Sequence, residues 1–430
     1  MEEAVIFLGA GASKTIGLPL ANEIIPKMLI RLRKKTLFAG NVTAIEQLDR
    51  CLQAVLPGLS EMMKSASDEE LLHKPIPPVT DLLSSIDFLL RSTNAPIPKF
   101  SLEDLSRGRT LLERAIFELL VRNEEPTGLR MKDMPDRVRT EWDTTTKLNL
   151  LSQRLPESES EVQGIVDWIM GIARERRVTL ISTNYDMEVE QEIYKRLGYH
   201  QVFSDVDFGT GVREPVEGKI YHRPTRAHIG VYKLHGSLNW LRCDLCDTIY
   251  VNPVGPIAYL SFLSADGGKQ DPTKTLFLKA VEESGATQCH CGNSPLRAVI
   301  VSPSFVRDVR DPILLEIWRN ALDVLRRARQ WFIVGYSFPP EDVAIRSMFL
   351  RAYSGRDEGQ QDLEIVVVQK DEKEPEKTRY ALLLPKHTYR TEGLSNFLKS
   401  EWVRANEQDK PDKSQFLSNR RSGEKLMSKR

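Results

Sequence analysis

The sequence predicts an α/β protein with a parallel sheet, a large helical insertion and a small cysteine-rich module. Residues 4–8 (AVIFL) form a continuous apolar run, which is typical of a strand buried on both faces of a sheet. This run leads directly into small residues and then an amphipathic segment, the strand–turn–helix order of a doubly wound, Rossmann-like sheet. Similar short apolar runs, each followed by polar residues, occur at 178–182, 231–234, 297–301, 331–334 and 363–368.

The turn after the first strand is a candidate anion site. Its small residues, 9–13 (GAGAS), let the backbone turn sharply and approach a ligand closely. The free N–H groups at the start of the following helix, together with the helix dipole, favour phosphate. The third glycine of the dinucleotide fingerprint is missing, because Lys14 stands in its place. A tight turn that binds no ligand is the alternative.

Composition excludes several classes of protein. The chain has 430 residues, enough for two or three domains or for one domain with large insertions. Lys+Arg and Asp+Glu both number 60, so no net charge favours nucleic acid or a membrane surface. No run reaches the roughly 20 apolar residues of a membrane span, and no signal peptide is recognisable. We therefore expect a cytoplasmic protein that contacts no membrane, and nucleic acid only indirectly if at all.

The order of the segments predicts how the domains are arranged. Apolar residues at helical spacing fill 41–177, for example Ile45, Leu48 and Leu52, and no strand-like run interrupts them. This stretch is too long for a single crossover, so it is predicted to be an inserted helical layer. The expected Rossmann-like domain comprises 1–40, 178–242 and 297–402, with a cysteine module at 243–296 and a flexible basic tail at 403–430.

Polar residues follow the second predicted strand, in the sequence Thr183-Asn184-Tyr185-Asp186. In doubly wound folds, ligands lie at the carboxyl ends of the strands. Asn184 offers a donor and an acceptor, and Asp186 accepts from hydroxyl or amide groups. Capping of the next helix by one of the two is the alternative. The loop-rich stretch 205–211 is expected to lie over the same pocket.

His235 follows the strand at 231–234 and precedes Gly236 and Ser237. A histidine at this place can act as a general base near neutral pH. Most single histidines are structural or exposed, but His235 repeats the strand-end placement of Asn184. The repetition favours a catalytic role.

Four of the five cysteines form two pairs, Cys243 with Cys246 and Cys289 with Cys291. Thiolate pairs at this spacing suit a tetrahedral structural zinc in a zinc-ribbon module, with no open position for catalysis. His290 could compete as a ligand. Reduced thiols, or a degenerate ribbon that holds no metal, are the alternatives.

Together the motifs resemble the sirtuin-like superfamily. The matching segments are 9–13 (GAGAS), 17–19 (GLP), 183–186 (TNYD), 234–237 (LHGS), the four cysteines and 335–342 (GYSFPPED). The resemblance covers most of the chain and implies NAD+ bound between a Rossmann-like domain and a zinc module. It implies Asn184 and His235 as catalytic residues, and the following as NAD-contacting: Gly9, Ala10, Gly11, Ala12, Ser13, Thr183, Asp186, Gly236, Ser237, Gly335 and Ser337.

The departures from protein-deacylating sirtuins refine this expectation. Those enzymes carry Asp-Phe-Arg where this chain has LAN at 20–22, and Gln-Asn-Ile-Asp where this chain has TNYD at 183–186. They carry Phe-Gly-Glu where this chain has the region of 302–305 (SPSF). These replacements, and the long insertion, look like the bacterial sirtuin-like NAD hydrolases of anti-phage defence. Such proteins act as homo-oligomers, and some pair with a separate HerA-type ATPase. A deacylase, or an NAD- or ADP-ribose-sensing or nuclease-associated regulatory subunit, remains an alternative.

Overall fold

The computed structural model describes residues 2–91, 97, 100–120, 156–215, 218–243, 245–253, 289–292, 296–300, 312–340, 342–356, 362–371 and 373–408. The segment 302–305 and most of the expected tail at 403–430 lie outside these residues.

The strands, in chain order, are β1 (Glu3–Leu8), β2 (Arg177–Ser182), β3 (Val206–Asp207), β4 (Val212–Arg213), β5 (Ile220–Tyr221), β6 (Ile229–Lys233), β7 (Gly236–Cys243), β8 (Ile249–Val251), β9 (Leu296–Ile300), β10 (Gln330–Val334), β11 (Glu364–Val368) and β12 (Thr388–Arg390). The helices are α1 (Ala10–Thr15), α2 (Ala21–Arg33), α3 (Val42–Val55), α4 (Leu59–Ser65), α5 (Asp68–His73), α6 (Val79–Leu90), α7 (Leu102–Leu120), α8 (Pro156–Glu175), α9 (Glu188–Leu197), α10 (Tyr199–Asp205), α11 (Pro312–Arg327), α12 (Val343–Ser354), α13 (Glu374–Leu383) and α14 (Gly393–Gln408).

The larger sheet has seven described strands, in the order β12-β11-β10-β1-β2-β6-β3. Every pairing in it is parallel. Every residue of β1 is buried, because β1 lies in the middle of the sheet with helices on both faces. The α/β fold class is therefore confirmed, with a parallel, Rossmann-like sheet.

The order of the strands reverses at β1, since the chain continues to β2 on one side and later to β10 on the other. Leu8 pairs with Ser182 and with Val334, so the carboxyl ends of these three strands meet at one edge. Ligands of doubly wound sheets bind in the crevice at such a reversal. The site is built at this edge.

The helical layer has different bounds from those predicted. Helices α2, α3, α4, α6 and α7 share a second hydrophobic core, joined by Met187 and Leu238, which begins with Ile24 rather than after residue 40. Helix α8 instead packs Ile165, Val166 and Ile169 into the core of the large sheet, so it belongs to that domain. The apolar stripes show which face of each helix is buried, but they do not show which element covers that face.

The second sheet is also larger than the predicted module. Its five described strands have the order β5-β4-β8-β7-β9 and extend from Val212 to Ile300, whereas the predicted module begins at residue 243. The strand predicted at 297–301 for the Rossmann-like domain is β9, which pairs antiparallel with β7 and so belongs to this second sheet. Only Leu234 and His235 separate β6 of the large sheet from β7 of the small one. His235 therefore lies where the chain crosses between the two sheets.

No helix in the described part of the chain is both long enough and apolar enough to cross a bilayer.

Candidate active site

The carboxyl edge of the large sheet opens on a cavity of about 970 Å³. This volume lies at the upper end of the range for ligand pockets, which is about 300–1,000 Å³. Most of the residues predicted from sequence line it, from the glycine turn and from three strand ends: Ala10, Gly11, Ala12, Ser13, Thr183, Asn184, Asp186, His235, Gly335 and Ser337.

Three predicted contact residues lie beside the cavity rather than in its lining. The Gly9 N–H donates to the carbonyl of Val334 at 3.0 Å. Gly236 has a φ of +80° and starts β7, and the Ser237 hydroxyl, 3.5 Å from the Tyr185 carbonyl oxygen, is buried. Gly9 precedes the lining residue Ala10, and Gly236 and Ser237 follow the lining residue His235.

The glycines of the turn are required by a close crossing of two backbone segments. The Gly11 N–H donates to the Gly335 carbonyl at 2.8 Å. A Cβ on Gly335 would lie 2.2 Å from the Ala12 nitrogen, and a Cβ on Gly9 would lie 2.6 Å from the Gly335 oxygen. The sequence predicts that these glycines make room for a ligand. In the structure, the absence of side chains at Gly9, Gly11 and Gly335 lets the backbone after β1 contact the backbone after β10. The helix that follows, α1, has only six residues before the chain bends into α2.

The side chain of Asn184 is oriented by the glycine turn. Its Nδ2 donates to the Gly9 carbonyl at 2.9 Å and to the Ser13 hydroxyl at 2.8 Å. Because the Gly9 carbonyl can only accept, the amide nitrogen must face it. Both N–H groups are thus used within the protein, and Oδ1 is the atom that can accept from a ligand. Sequence reasoning left Asn184 as donor or acceptor; the geometry selects the acceptor.

The Asp186 carboxylate continues this network. Its Oδ2 accepts from the Ser13 hydroxyl at 2.7 Å, and its Oδ1 lies 3.4 Å from the backbone nitrogen of Glu188 in the first turn of α9. Asp186 lines the cavity, whereas the N-cap of α9 is Met187, with no side-chain capping hydrogen bond. Ser13, 7% exposed, links Asn184 to Asp186.

His235 is held by backbone and aromatic neighbours. Its Nδ1 lies 3.2 Å from the Thr183 carbonyl, which can only accept, so Nδ1 carries the proton and Nε2 is the basic atom of the neutral ring. The rings of Tyr185 and Trp318 both lie 6.3 Å from the imidazole, centroid to centroid. The ring is buried, at 4% exposed, and lines the cavity. The geometry suits a general base.

Some lining residues were not predicted from sequence. The helical layer contributes an apolar wall, which includes Val79, Ile116 and Leu120. The start of α14 forms another wall, where the hydroxyl of Ser395 donates to Glu161 of α8. These residues come from helices, so no strand-end pattern marks them.

The stretch 205–211 does not lie over the pocket, contrary to the expectation. Asp207 pairs with Arg177, the first residue of β2, at 2.6 Å, and with Arg223 at 2.8 Å. These contacts place Asp207 near the amino edge of the large sheet, and none of residues 205–211 lines the cavity. Polar residues can precede or follow a short strand, so they can lie at either edge of the sheet. The sequence of 205–211 does not show which edge its polar residues occupy.

The four predicted cysteines converge in the second sheet. Their sulfurs all lie within 4.8 Å of one another, with 3.6 Å between Cys243 and Cys291 and 3.5 Å between Cys246 and Cys289. Four ligands at about 2.3 Å from a tetrahedral zinc would be about 3.8 Å apart, so the cluster fits a structural zinc. The His290 ring stacks on Tyr250, with Nδ1 3.0 Å from the tyrosine hydroxyl, and is not part of the cluster.

Comparison with known proteins supplies a distant structural likeness. No family model and no curated protein matches the chain. The chain is similar to a solved structure described as "Structural Basis for the Mechanism and Regulation of Sir2 Enzymes", with 14% identity, 94% of each chain covered and a TM-score of 0.32. At that level the likeness says nothing about what this chain binds.

Proposed function

We propose that the protein hydrolyses the nicotinamide–ribose bond of NAD+, giving nicotinamide and ADP-ribose. The observation that supports this most is the pairing of Asn184 and His235 in one cavity with the glycine turn. The side chain of Asn184 binds the glycine turn. The ring of His235 binds the carbonyl of Thr183, the residue before Asn184. These contacts support an acceptor and a base that act in one cavity, at the crevice where doubly wound sheets bind nucleotides.

The proposed chemistry needs no general acid. Nicotinamide leaves as a neutral molecule from a cationic ring, and the C–N bond breaks as positive charge develops on the ribose. Asn184 Oδ1 accepts from a ribose hydroxyl or from the incoming water and so orients it. Nε2 of His235 takes the proton as the water oxygen bonds to the ribose carbon. A positioned base contributes about 10²–10⁴-fold to the rate.

The departures from the deacylase motifs at 20–22, 183–186 and 302–305 favour hydrolysis of NAD+ over deacylation of a protein. Val79, Ile116 and Leu120 line one side of the cavity with aliphatic side chains. An NAD-dependent deacylase, and a sensing or nuclease-associated subunit without catalysis, remain the competing functions. The three functions predict different results when nicotinamide release from NAD+ is measured without a peptide.

The deciding assay follows nicotinamide release from NAD+ in the absence of any peptide. The natural protein should release it, and Asn184→Ala and His235→Ala should each reduce release at least 100-fold. His200→Ala changes an exposed histidine outside the cavity lining and serves as the matched control. Release only when an acyl-lysine peptide is added would identify a deacylase, and NAD+ binding without release would identify a sensor.

We further propose a role and a means of control. An unrestrained NAD+ hydrolase would kill its host, so the activity must be gated, and we place it among effectors of anti-phage defence in the cytoplasm. Gating by a homo-oligomer, with a separate HerA-type ATPase as a further partner, would suit a chain that contains no G-x-x-x-x-G-K-[ST] motif. We also propose that Cys243, Cys246, Cys289 and Cys291 bind a structural zinc ion beside the second sheet.

A further inference from the structure

A buried ion pair lies directly beneath the proposed active site. The ammonium group of Lys233, the last residue of β6, pairs with the carboxylate of Glu190 in α9. Lys233 is 1% exposed and Glu190 is 4% exposed. Charged side chains are almost never buried so deeply unless they are paired and fully hydrogen-bonded. Neither residue lines the cavity, and the proposed chemistry uses neither.

The same ammonium group also binds the turn that carries Asn184. Nζ of Lys233 donates to the backbone carbonyl of Asp186 at 2.6 Å. Lys233 stands two residues before His235 in the chain, and Asp186 stands two residues after Asn184. The hydrogen bond therefore connects the strand that carries the proposed base to the turn that carries the proposed acceptor.

The turn at 183–186 is tied down at several places: Asn184 binds the glycine turn, the Leu238 N–H donates to the Tyr185 carbonyl, and three side-chain ties hold its two ends. At its start, the Thr183 carbonyl accepts from the ring of His235. At its end, the Asp186 carboxylate accepts from Ser13 and the Asp186 carbonyl accepts from Lys233. The first two ties come from residues in the cavity lining. The third comes from beneath the site, and Glu190 supplies the opposite charge that keeps the ammonium group there.

We infer that Lys233 and Glu190 are positioning residues, which hold the 183–186 turn so that Asn184 and His235 keep their relative placement. The kinetic part of this inference rests on the proposed function. A misplacement of about 1 Å in a catalytic group can cost roughly 10²-fold in rate. Loss of the pair should therefore lower kcat, whereas the cavity walls that would hold NAD+ stay in place.

The first test replaces both charges at once, because removing only one would leave the other buried and unpaired. The double variant Lys233→Met, Glu190→Leu keeps the side-chain volumes similar. We expect its kcat for NAD+ hydrolysis to fall about 10–100-fold, with KM within about threefold of the natural value. Arg177→Met is the control for loss of an ion pair far from the cavity, since Arg177 pairs with Asp207 near the opposite edge of the sheet, Asp207 keeps its pair with Arg223, and kcat should stay unchanged.

A second variant covers the case in which the double variant does not fold. Glu190→Asp keeps both charges and withdraws the carboxylate by one methylene, and we expect kcat to fall about 3–10-fold with KM unchanged. Amide hydrogen exchange provides a readout that needs no activity. Exchange across 183–187 should quicken in either variant, and exchange in β1 and β10 should not.

The outcomes are separable. Natural kcat in a folded variant, or a rise in KM alone, would overturn the inference. If the natural protein does not hydrolyse NAD+ at all, the proposed function fails and exchange alone decides. Faster exchange confined to 183–187 then supports the positioning role, and unchanged exchange overturns it.

Discussion

Gly335→Ala tests the close crossing on which the site is built. Gly335 has a φ of +62°, a conformation that costs an alanine about 1–2 kcal/mol. The new Cβ would lie 2.2 Å from the Ala12 nitrogen and 2.5 Å from the Gly11 carbonyl carbon. These are backbone atoms and cannot rotate away, so β1 and β10 must separate, at an overpacking cost of about 1–3 kcal/mol. The free energy of unfolding should fall by about 2–5 kcal/mol.

Urea denaturation followed by circular dichroism measures this change. With an m-value of about 3 kcal/mol/M, the midpoint should fall by roughly 1 M. Gly171→Ala is the matched control, because Gly171 is exposed within α8 and its Cβ would meet nothing within 4 Å. That variant should be stabilised by about 0.5–1 kcal/mol. A Gly335→Ala midpoint equal to the natural one would refute the reasoning about the crossing.

Three further predictions concern other parts of the molecule. Purified protein should hold about one zinc per chain, and Cys243→Ser or chelation should unfold the second sheet; metal content well under one equivalent would contradict this. Burial raises the pKa of Asp207, but hydrogen bonds from Arg223 and Tyr232 outweigh it and hold that pKa below its ordinary value. The stability from this carboxylate is therefore complete above pH 4 or so and lost as the pH falls further, so Arg223→Met should move acid unfolding to higher pH. Finally, sizing should find an assembly, and a monomer with full NAD+ turnover would rule out gating by assembly.

The sequence alone predicted the elements whose signal is local. Predominantly apolar runs at β1, β2 and β10 predicted buried parallel strands, because strands covered on both faces of a sheet are rich in apolar and β-branched residues. The residues that follow these strands were predicted to meet, because the carboxyl ends of parallel strands share one edge. Asn184, His235 and Gly335 do line one cavity, and the four cysteines do converge.

The tertiary structure decided what depends on distant contacts. Helical periodicity in 41–177 could not show that α8 packs on the large sheet while α3, α4, α6 and α7 pack in a second core, since an apolar stripe does not identify its partner. Nor could the sequence show that both N–H groups of Asn184 are used by the glycine turn, or that Lys233 reaches Asp186. These contacts join residues far apart in the chain, and their directions are set only when the sheet has brought the strand ends together.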